Sequence, residues 1–185
     1  MQVHGGMGFI EETGAAQYLR DVRITTIYEG TTGIQSNDLI GRKLARDGGA
    51  AMRALLADME RELAALAGGD APLEVTRKAA LEAVSLLGRA TRSLLEALAT
   101  EPARGMAVSV PYLKLCGYVT AGWLLAKSAA IASPRASAGS ERDFYAAKVH
   151  TAAFYAAQVL PNAAALARVV EAGGASVIGT DAALL

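Results

Sequence analysis

Pro72 to Thr100, PLEVTRKAALEAVSLLGRATRSLLEALAT, is the stretch that decides the fold class. Steps of four and three residues alternate along it and mark eight positions, of which all but Arg77 and Thr91 are apolar. The eight positions are Leu73, Arg77, Ala80, Val84, Leu87, Thr91, Leu94 and Leu98. This spacing places them on one face of a helix and is typical of a helical bundle. Burial of each Leu or Val contributes about 1.5–3 kcal/mol, whereas exposed ion pairs on a helix contribute only about 0.2–0.5 kcal/mol each. Packing of this face therefore predicts a long bundle helix.

A second helix is predicted immediately before this stretch. Residues 50–67 carry Met and Leu side chains at three- and four-residue spacing, and Gly68 and Gly69 end the pattern. Asp70 is placed to cap the following helix, with Pro72 in its first turn.

Further helices are predicted downstream. Residues 112–131 are apolar on nearly all sides, which predicts the central helix of the bundle. Pro111 either kinks that helix or lies in its first turn, and the sequence leaves both alternatives open. Residues 133–140, rich in Ser, Ala, Gly and Pro, predict a linker, and residues 141–171 predict a last long helix kinked at Pro161.

Composition agrees with an all-α antiparallel helical bundle and limits its partners. Hydrophobic residues make up 52% of the 185 residues, and 18 basic and 18 acidic side chains cancel. A neutral chain has no charge excess to attract nucleic-acid phosphates, so we expect no nucleic-acid partner. The single Cys116 excludes an internal disulfide, and one cysteine with two histidines is too few for a Cys/His metal cluster, so no metal site is expected.

No targeting or membrane segment stands out in the sequence. The N-terminus lacks a basic-then-apolar signal pattern. Lys114 and Lys127 interrupt the most apolar region, and the uncharged run between them is shorter than the ~20 residues that a bilayer span needs. We therefore expect no membrane span and a cytoplasmic location.

The segment Ile27-Tyr28-Glu29-Gly30-Thr31-Thr32 contains the most informative side chain, the carboxylate of Glu29. Its neighbours in sequence are uncharged, so burial by the fold would favour its protonated form, as suits a general base that works near neutral pH. Gly30 allows close approach of the backbone to a ligand, and Thr31 offers a hydroxyl and an N–H at a helix start.

Local patterns around Glu29 predict the following elements. Residues 2–12, which contain a glycine cluster, predict a loop, and residues 13–22 predict a short helix. The β-branched side chains of residues 23–30 predict extended chain. A helix is predicted from Thr31 or Thr32 to about Arg46.

Several separated motifs in residues 2–44 together resemble a known family. In order, they are Gln2-Val3-His4-Gly5-Gly6-Met7-Gly8-Phe9, Tyr18-Leu19-Arg20-Asp21, Ile27-Tyr28-Glu29-Gly30-Thr31 and Ile34-Gln35. Their order and spacing are similar to those at the C-terminal end of flavin-dependent acyl-CoA dehydrogenases. The resemblance implies the end of a four-helix-bundle catalytic domain, a loop-rich helical segment that precedes the additional bundle.

The resemblance implies a reaction and roles for individual residues. A base removes a proton from the α-carbon of an acyl-CoA thioester, a hydride leaves the β-carbon for FAD, and a trans-2-enoyl-CoA results. Glu29 matches the family's base. Thr31 matches a position that contacts the flavin cofactor, and Gln2, Gly5 and Gly6 match a loop that reaches it.

The resemblance further implies partners and one departure from the family. Tyr28 and Gly30 match positions beside the acyl chain and thioester. The electron acceptor would be an electron-transfer flavoprotein or a similar protein, and the enzyme would be a homo-oligomer. Gly33 departs from the family, because many relatives carry a polar side chain there, so a cofactor contact through that side chain is impossible in this chain.

Residues after about 47 resemble an additional C-terminal helical domain that a branch of larger acyl-CoA dehydrogenases carries, including some that act on sulfur-bearing short acyl-CoA substrates. The segments Pro111-Tyr112-Leu113-Lys114-Leu115 and Gly122-Trp123-Leu124-Leu125-Ala126 carry this second resemblance. It predicts three parts: residues 1–46 as the end of the catalytic domain, residues 47–175 as the additional bundle, and residues 176–185 as a flexible tail.

Two hypotheses for function follow. The first is a C-terminal fragment of an acyl-CoA dehydrogenase, expected because the motifs begin at residue 2, whereas in complete family members they lie well past the middle. Such a fragment is expected to be inactive alone and to bind no FAD, since the walls of the flavin site lie outside it. The alternative is a non-catalytic helical oligomerisation or assembly module that retains the family's motifs.

Overall fold

The computed structural model describes residues 1–67, 69–137, 139–181 and 183, and within these it is helical with no β-strand. The α-helices, in chain order, are α1 (Ala15–Ile24), α2 (Thr32–Asp38), α3 (Ala50–Ala65), α4 (Ala71–Thr100), α5 (Pro102–Ala107), α6 (Ser109–Ala132), α7 (Arg142–Phe154), α8 (Asn162–Ala172) and α9 (Ala175–Ile178). The all-α bundle predicted from the sequence is confirmed.

Helix α4 forms the axis of the bundle, as its pattern predicts. Asp70 caps it: the Asp70 carboxylate accepts a hydrogen bond of 2.9 Å from the Leu73 N–H, and proline lies in the first turn. Helices α3, α5, α6 and α8 all pack against α4. Six of the eight apolar-face positions predicted above are buried hydrophobics or lie directly against the core, and Thr91 is buried with them.

Helix α6 packs beside α4, α7 and α8. Its fully buried side chains include Tyr112, Leu115 and Val119, in agreement with the central position predicted from its apolar composition. Pro111 lies in its first turn, which decides between the two alternatives left open by the sequence. By length and composition alone, residues Ser109–Arg135 form a helix that could cross a membrane; 33% of its most apolar window is buried within the protein.

Two helices that the sequence predicts as continuous are interrupted by π-helical turns. Residues Leu39–Leu44 follow α2 as a π-helix, with a hydrogen bond of 2.9 Å from the Ala45 N–H to the Ile40 carbonyl. A second π-helix, Tyr155–Val159, follows α7, and α8 begins after Pro161. The predicted last helix of residues 141–171 is therefore two helices, and the break lies where Pro161 removes a backbone donor.

The N-terminal predictions need two corrections. Residues 2–12 are not an open loop, since Gln2–Gly8 and Glu11–Thr13 form 3₁₀ turns. Residues 23–30 are not extended, because the hydroxyls of Thr25 and Thr26 donate to the carbonyls of Val22 and Arg23 and hold tight turns. With no partner strand, extended chain here would leave backbone groups unpaired, so turns replace it.

One further helical turn follows α8. α9 spans Ala175–Ile178 and packs against α5. Its residues fall largely in the predicted flexible tail of 176–185, of which residues 182, 184 and 185 lie outside the described residues.

Candidate functional site

Glu29 lies in a turn directly before α2 and has an unusual backbone conformation. Its φ is 57°, in the left-handed region, and it is the only residue with a side chain that has a positive φ among those the structure describes. This region is sterically costly for a residue with a Cβ and is found most often at functional sites and in tight turns. The turn is held by the Gln35 side-chain amide, whose Nε2 donates to the Glu29 carbonyl.

Gly30 is required by the geometry of this turn. Its φ is 115°, and a Cβ at this position would lie 3.2 Å from Ile34 Cγ2 and 3.3 Å from Gln35 Nε2. The chain can therefore pass between Glu29 and α2 only because residue 30 has no side chain.

Thr31 is the N-cap of α2, which begins at Thr32. The Thr31 hydroxyl accepts a hydrogen bond of 3.4 Å from the Ile34 N–H, in agreement with the predicted helix start. One turn later Ser36, fully buried, donates to the Gly33 carbonyl at 2.8 Å and bonds to the Ser109 hydroxyl at 3.1 Å. This buried pair fixes α2 against the start of α6, so the bundle positions the Glu29 turn.

The glycine segment forms a separate small unit. Gly5 has a φ of 58°, and a Cβ added at Gly5 or Gly6 would find no atom within 4 Å, so both backbones are open to approach. The Thr13 hydroxyl donates to the Met7 carbonyl at 2.9 Å and ties this segment to the turn before α1. Among the described residues, no hydrogen bond joins the segment that holds Gln2, Gly5 and Gly6 to the turn that holds Glu29.

Glu29 is exposed in the structure, together with the large apolar side chains around it. The burial that the sequence argument requires for a general base is therefore not supplied by the residues that the structure describes. Ile27, Tyr28 and Ile34 are each more than half exposed. Further upstream the same holds for Phe9, Tyr18, Leu19 and Val22, so the segment that carries the candidate site presents an apolar surface without a cover within the described part of the chain.

Sequence reasoning missed the residues that fix the site. Gln35 is part of the quoted Ile-Gln motif, but its bond to the Glu29 carbonyl depends on a turn whose conformation the pattern does not reveal. Ser36 and Ser109 are far apart in sequence and are ordinary surface residue types, so nothing local indicates that they meet in the interior.

Titratable groups in the bundle are structural. Burial raises the pKa of the Cys116 thiol to about 12, which makes it a poor nucleophile at neutral pH. Burial also raises the pKa of Tyr112, whose hydroxyl lies 2.9 Å from that of Thr91. A hydrogen bond from Lys127 is the main cause that lowers the pKa of Glu62, which also accepts from the Trp123 indole N–H and so joins α3 to α6.

Two known protein families match the chain, each over a different segment. Residues 50–181 match the family described as "Acetyl-CoA dehydrogenase C-terminal like". Residues 1–45 match "Acyl-CoA dehydrogenase, C-terminal domain". The segment of residues 1–45 contains the Glu29 turn and α2.

Curated relatives agree with these matches. The chain is 45% identical over 168 residues to a 3-methylmercaptopropionyl-CoA dehydrogenase of Ruegeria pomeroyi, which covers 89% of this chain and 28% of the relative. It is 34% identical over 180 residues to a broad-specificity linear acyl-CoA dehydrogenase, FadE5, of Mycobacterium tuberculosis, covering 92% of this chain and 29% of the relative. A 44-residue stretch is 48% identical to the human mitochondrial short-chain specific acyl-CoA dehydrogenase. The chain thus spans less than a third of the length of these relatives.

Proposed function

Because the chain belongs to the acyl-CoA dehydrogenase family, we propose that it is the C-terminal part of an FAD-dependent acyl-CoA dehydrogenase in which Glu29 is the base that removes the α-proton of the substrate. The observation that carries the proposal is the Glu29 turn itself. A carboxylate is held at a positive φ by Gln35, before a helix capped by Thr31. Strain of this kind costs of order 1–3 kcal/mol and is retained where position matters for function.

In the proposed reaction, a proton and a hydride leave two neighbouring carbon atoms of the substrate. The C–H bond at the α-carbon of the acyl thioester breaks, its proton passes to the Glu29 carboxylate, and its electron pair forms the new double bond to the β-carbon. When bound, FAD would supply the two-electron acceptor for the β-hydrogen and its electron pair. Glu29 starts as the charged base and ends protonated, so the residue must reach the α-carbon and lose contact with bulk water once substrate is bound.

The exposed apolar side chains around Glu29 support a covered site. In the proposed enzyme, the part of the polypeptide outside these residues covers Ile27, Tyr28 and Ile34 and dries the carboxylate. Full burial of an exposed large apolar side chain contributes about 1.5–3 kcal/mol, and about half of that remains available here, since each of the three is a little over half exposed. Burial of the side chains that flank the base thus supplies the free energy that closes the site. We assign Tyr28 and Gly30 to positions beside the acyl chain and thioester.

The chain's residues fit one edge of an FAD site. The open backbones at Gly5 and Gly6 permit close approach of a bulky ligand, and Gln2 is exposed beside them. We assign Gln2, Gly5, Gly6 and Thr31 to cofactor contact. The glycine segment with Gln2, Gly5 and Gly6 and the turn with Thr31 belong to separate units of the described chain, so the complete site needs walls from elsewhere. We therefore expect the isolated chain to bind no flavin.

The test is Glu29→Gln in the full-length enzyme. Glutamine keeps the shape and the hydrogen-bonding capacity of the side chain but cannot accept the α-proton, and loss of a general base typically costs about 10²–10⁴-fold in rate. We expect stoichiometric flavin to be retained, while anaerobic bleaching of the flavin by acyl-CoA slows by that factor. The control is Glu29→Asp, which keeps a carboxylate that can accept the proton and should therefore retain part of the bleaching rate.

Bleaching at the wild-type rate in Glu29→Gln would refute the assignment of the base. It would favour the alternative, in which the chain is a helical oligomerisation or assembly module. That module would not need a carboxylate at residue 29.

A further inference from the structure

The peptide bond between Glu29 and Gly30 is held by one side chain. Glu29 has a φ of 57° and Gly30 has a φ of 115°. Among the described residues, neither of them takes part in a backbone–backbone hydrogen bond, although the chain just before them is held by two bonds to the Ile24 carbonyl. A residue with a Cβ stays in the left-handed region only where the surrounding structure fixes it there. At this turn, that structure is the Gln35 side chain, whose Nε2 donates to the Glu29 carbonyl.

Gln35 is itself fixed on α2, so its amide can impose a position on the turn. Its backbone N–H donates to the Thr31 carbonyl at 2.9 Å in the first turn of the helix, and the next residue, Ser36, is fully buried. The side-chain amide also lies against Gly30, where an added Cβ would be 3.3 Å from Nε2. The helix thus fixes the donor, and the donor fixes the carbonyl that it binds.

We propose that Gln35 is a positioning residue for the reaction: its side-chain amide orients the Glu29–Gly30 peptide and, through it, the carboxylate that removes the α-proton. The inference rests on the proposed function, because it takes Glu29 as the base. Gln35 acts through Glu29 alone, since its amide is engaged with the Glu29 carbonyl and is neither an acid nor a base at neutral pH.

Orientation of the base has a large effect on the rate of proton removal. A general base must come within about 2.6–3.2 Å of the atom that carries the proton, and a displacement of ~1 Å can cost about 10²-fold in rate. Without the Gln35 donor, residue 29 is free to leave the sterically costly left-handed region. That change redirects the Cβ from which the carboxylate extends, so the carboxylate no longer reaches the α-carbon in the productive direction.

The test replaces the amide by a side chain of similar length that has no donor. Gln35→Met is made in the full-length enzyme, and anaerobic bleaching of the flavin is measured over a range of acyl-CoA concentrations. We expect the limiting rate at saturation to fall about 10- to 10²-fold, with flavin content and the half-saturating acyl-CoA concentration unchanged. Gln158→Met is the matched control, because Gln158 is exposed in the π-helix after α7, and this variant should bleach at the wild-type rate.

A double-mutant cycle separates positioning from a general loss of structure. If the Gln35 amide acts through the carboxylate, it has no base left to orient once glutamine replaces Glu29. Gln35→Met should then slow bleaching by less than about twofold in the Glu29→Gln background. A general loss of structure would slow bleaching by the same factor in both backgrounds.

A further variant, Gln35→Lys, tests whether the N–H donor is the feature that matters. The lysine ammonium can donate to the same carbonyl, but the side chain has no amide oxygen. We expect this variant to recover part of the bleaching rate that Gln35→Met loses.

Four results would overturn the inference. One is bleaching at the wild-type rate in Gln35→Met, and another is equal slowing by this substitution in both backgrounds. The third is loss of flavin or of folded enzyme in Gln35→Met, which would make Gln35 a structural residue. The fourth is Gln35→Lys that bleaches as slowly as Gln35→Met, which would show that the donor is not what matters.

The same cycle distinguishes failure of this inference from failure of the proposed function. Bleaching at the wild-type rate in Glu29→Gln would refute the base, and the role of Gln35 with it. Slow bleaching in Glu29→Gln together with fast bleaching in Gln35→Met would refute only the role of Gln35.

Discussion

Glu29 is strained for a structural reason that can be traced atom by atom. Its φ of 57° lets the chain turn back toward α2, and Gly30, with a φ of 115°, completes the reversal. The Gln35 side-chain amide then donates to the Glu29 carbonyl. The backbone conformation of the turn therefore sets the direction of the Glu29 side chain. A carboxylate positioned in this way can remain exposed until substrate and the rest of the enzyme cover it.

Thr91 and Tyr112 provide a residue-scale prediction in the core. The Thr91 hydroxyl donates to the Leu87 carbonyl at 2.7 Å and lies 2.9 Å from the Tyr112 hydroxyl, so it accepts from Tyr112. Tyr112→Phe removes one buried hydrogen bond and leaves Thr91 satisfied, which should lower the free energy of unfolding by about 0.5–1.5 kcal/mol. Thr91→Val leaves the buried tyrosine hydroxyl without its acceptor and should cost about 1–3 kcal/mol.

Urea unfolding of the two single variants and the double variant measures this difference. The double variant should lose less than the sum of the two single losses, because the orphaned hydroxyl is absent from it. A strictly additive double variant would mean that the two hydroxyls do not interact.

At the scale of single elements, capping decides where α4 begins. The Asp70 carboxylate accepts from the Leu73 N–H at 2.9 Å, and its second oxygen accepts from the Ser133 hydroxyl, which ties the helix start to the end of α6. Asp70→Ala should therefore lower the free energy of unfolding by about 0.5–2 kcal/mol. Thermal or urea unfolding of the variant measures the loss.

Asp58→Ala is the matched control for this prediction. Asp58 lies within α3, is half exposed, and pairs with Arg61 at 2.7 Å. Its loss should change the free energy of unfolding by no more than about 0.5 kcal/mol, because exposed ion pairs are screened by water. Equal losses for both variants would show that the cap does not stabilise α4.

The elements also show what a sequence pattern can and cannot predict. The long apolar repeat of α4 and its Asp70 cap were predictable, because many side chains at one spacing point to one answer. The π-helix at Leu39–Leu44 was not, since one extra residue in a turn leaves the composition and the apolar spacing unchanged. The turns after α1 were mispredicted because threonine hydroxyls bond to the preceding turn and outweigh β propensity.

At the scale of the whole molecule, burial is divided unevenly. The bundle of α3 to α8 has a continuous core, whereas most large apolar side chains before residue 35 are exposed. The motifs in that segment could be recognised from sequence, but the exposure of Glu29 could not, because burial depends on contacts that motifs do not encode. This division agrees with the proposed function, in which protein beyond the described residues completes the Glu29 segment.

The most direct measurement of the central claim isolates proton removal from flavin reduction. An acyl-CoA whose β-carbon carries no transferable hydrogen is incubated in D₂O with full-length enzyme, and mass spectrometry follows deuterium entry at the α-carbon. We predict exchange with the wild-type enzyme and a rate about 10²–10⁴-fold lower with Glu29→Gln at unchanged flavin content. Exchange at an undiminished rate in that variant would contradict the account, because another group would then be removing the proton.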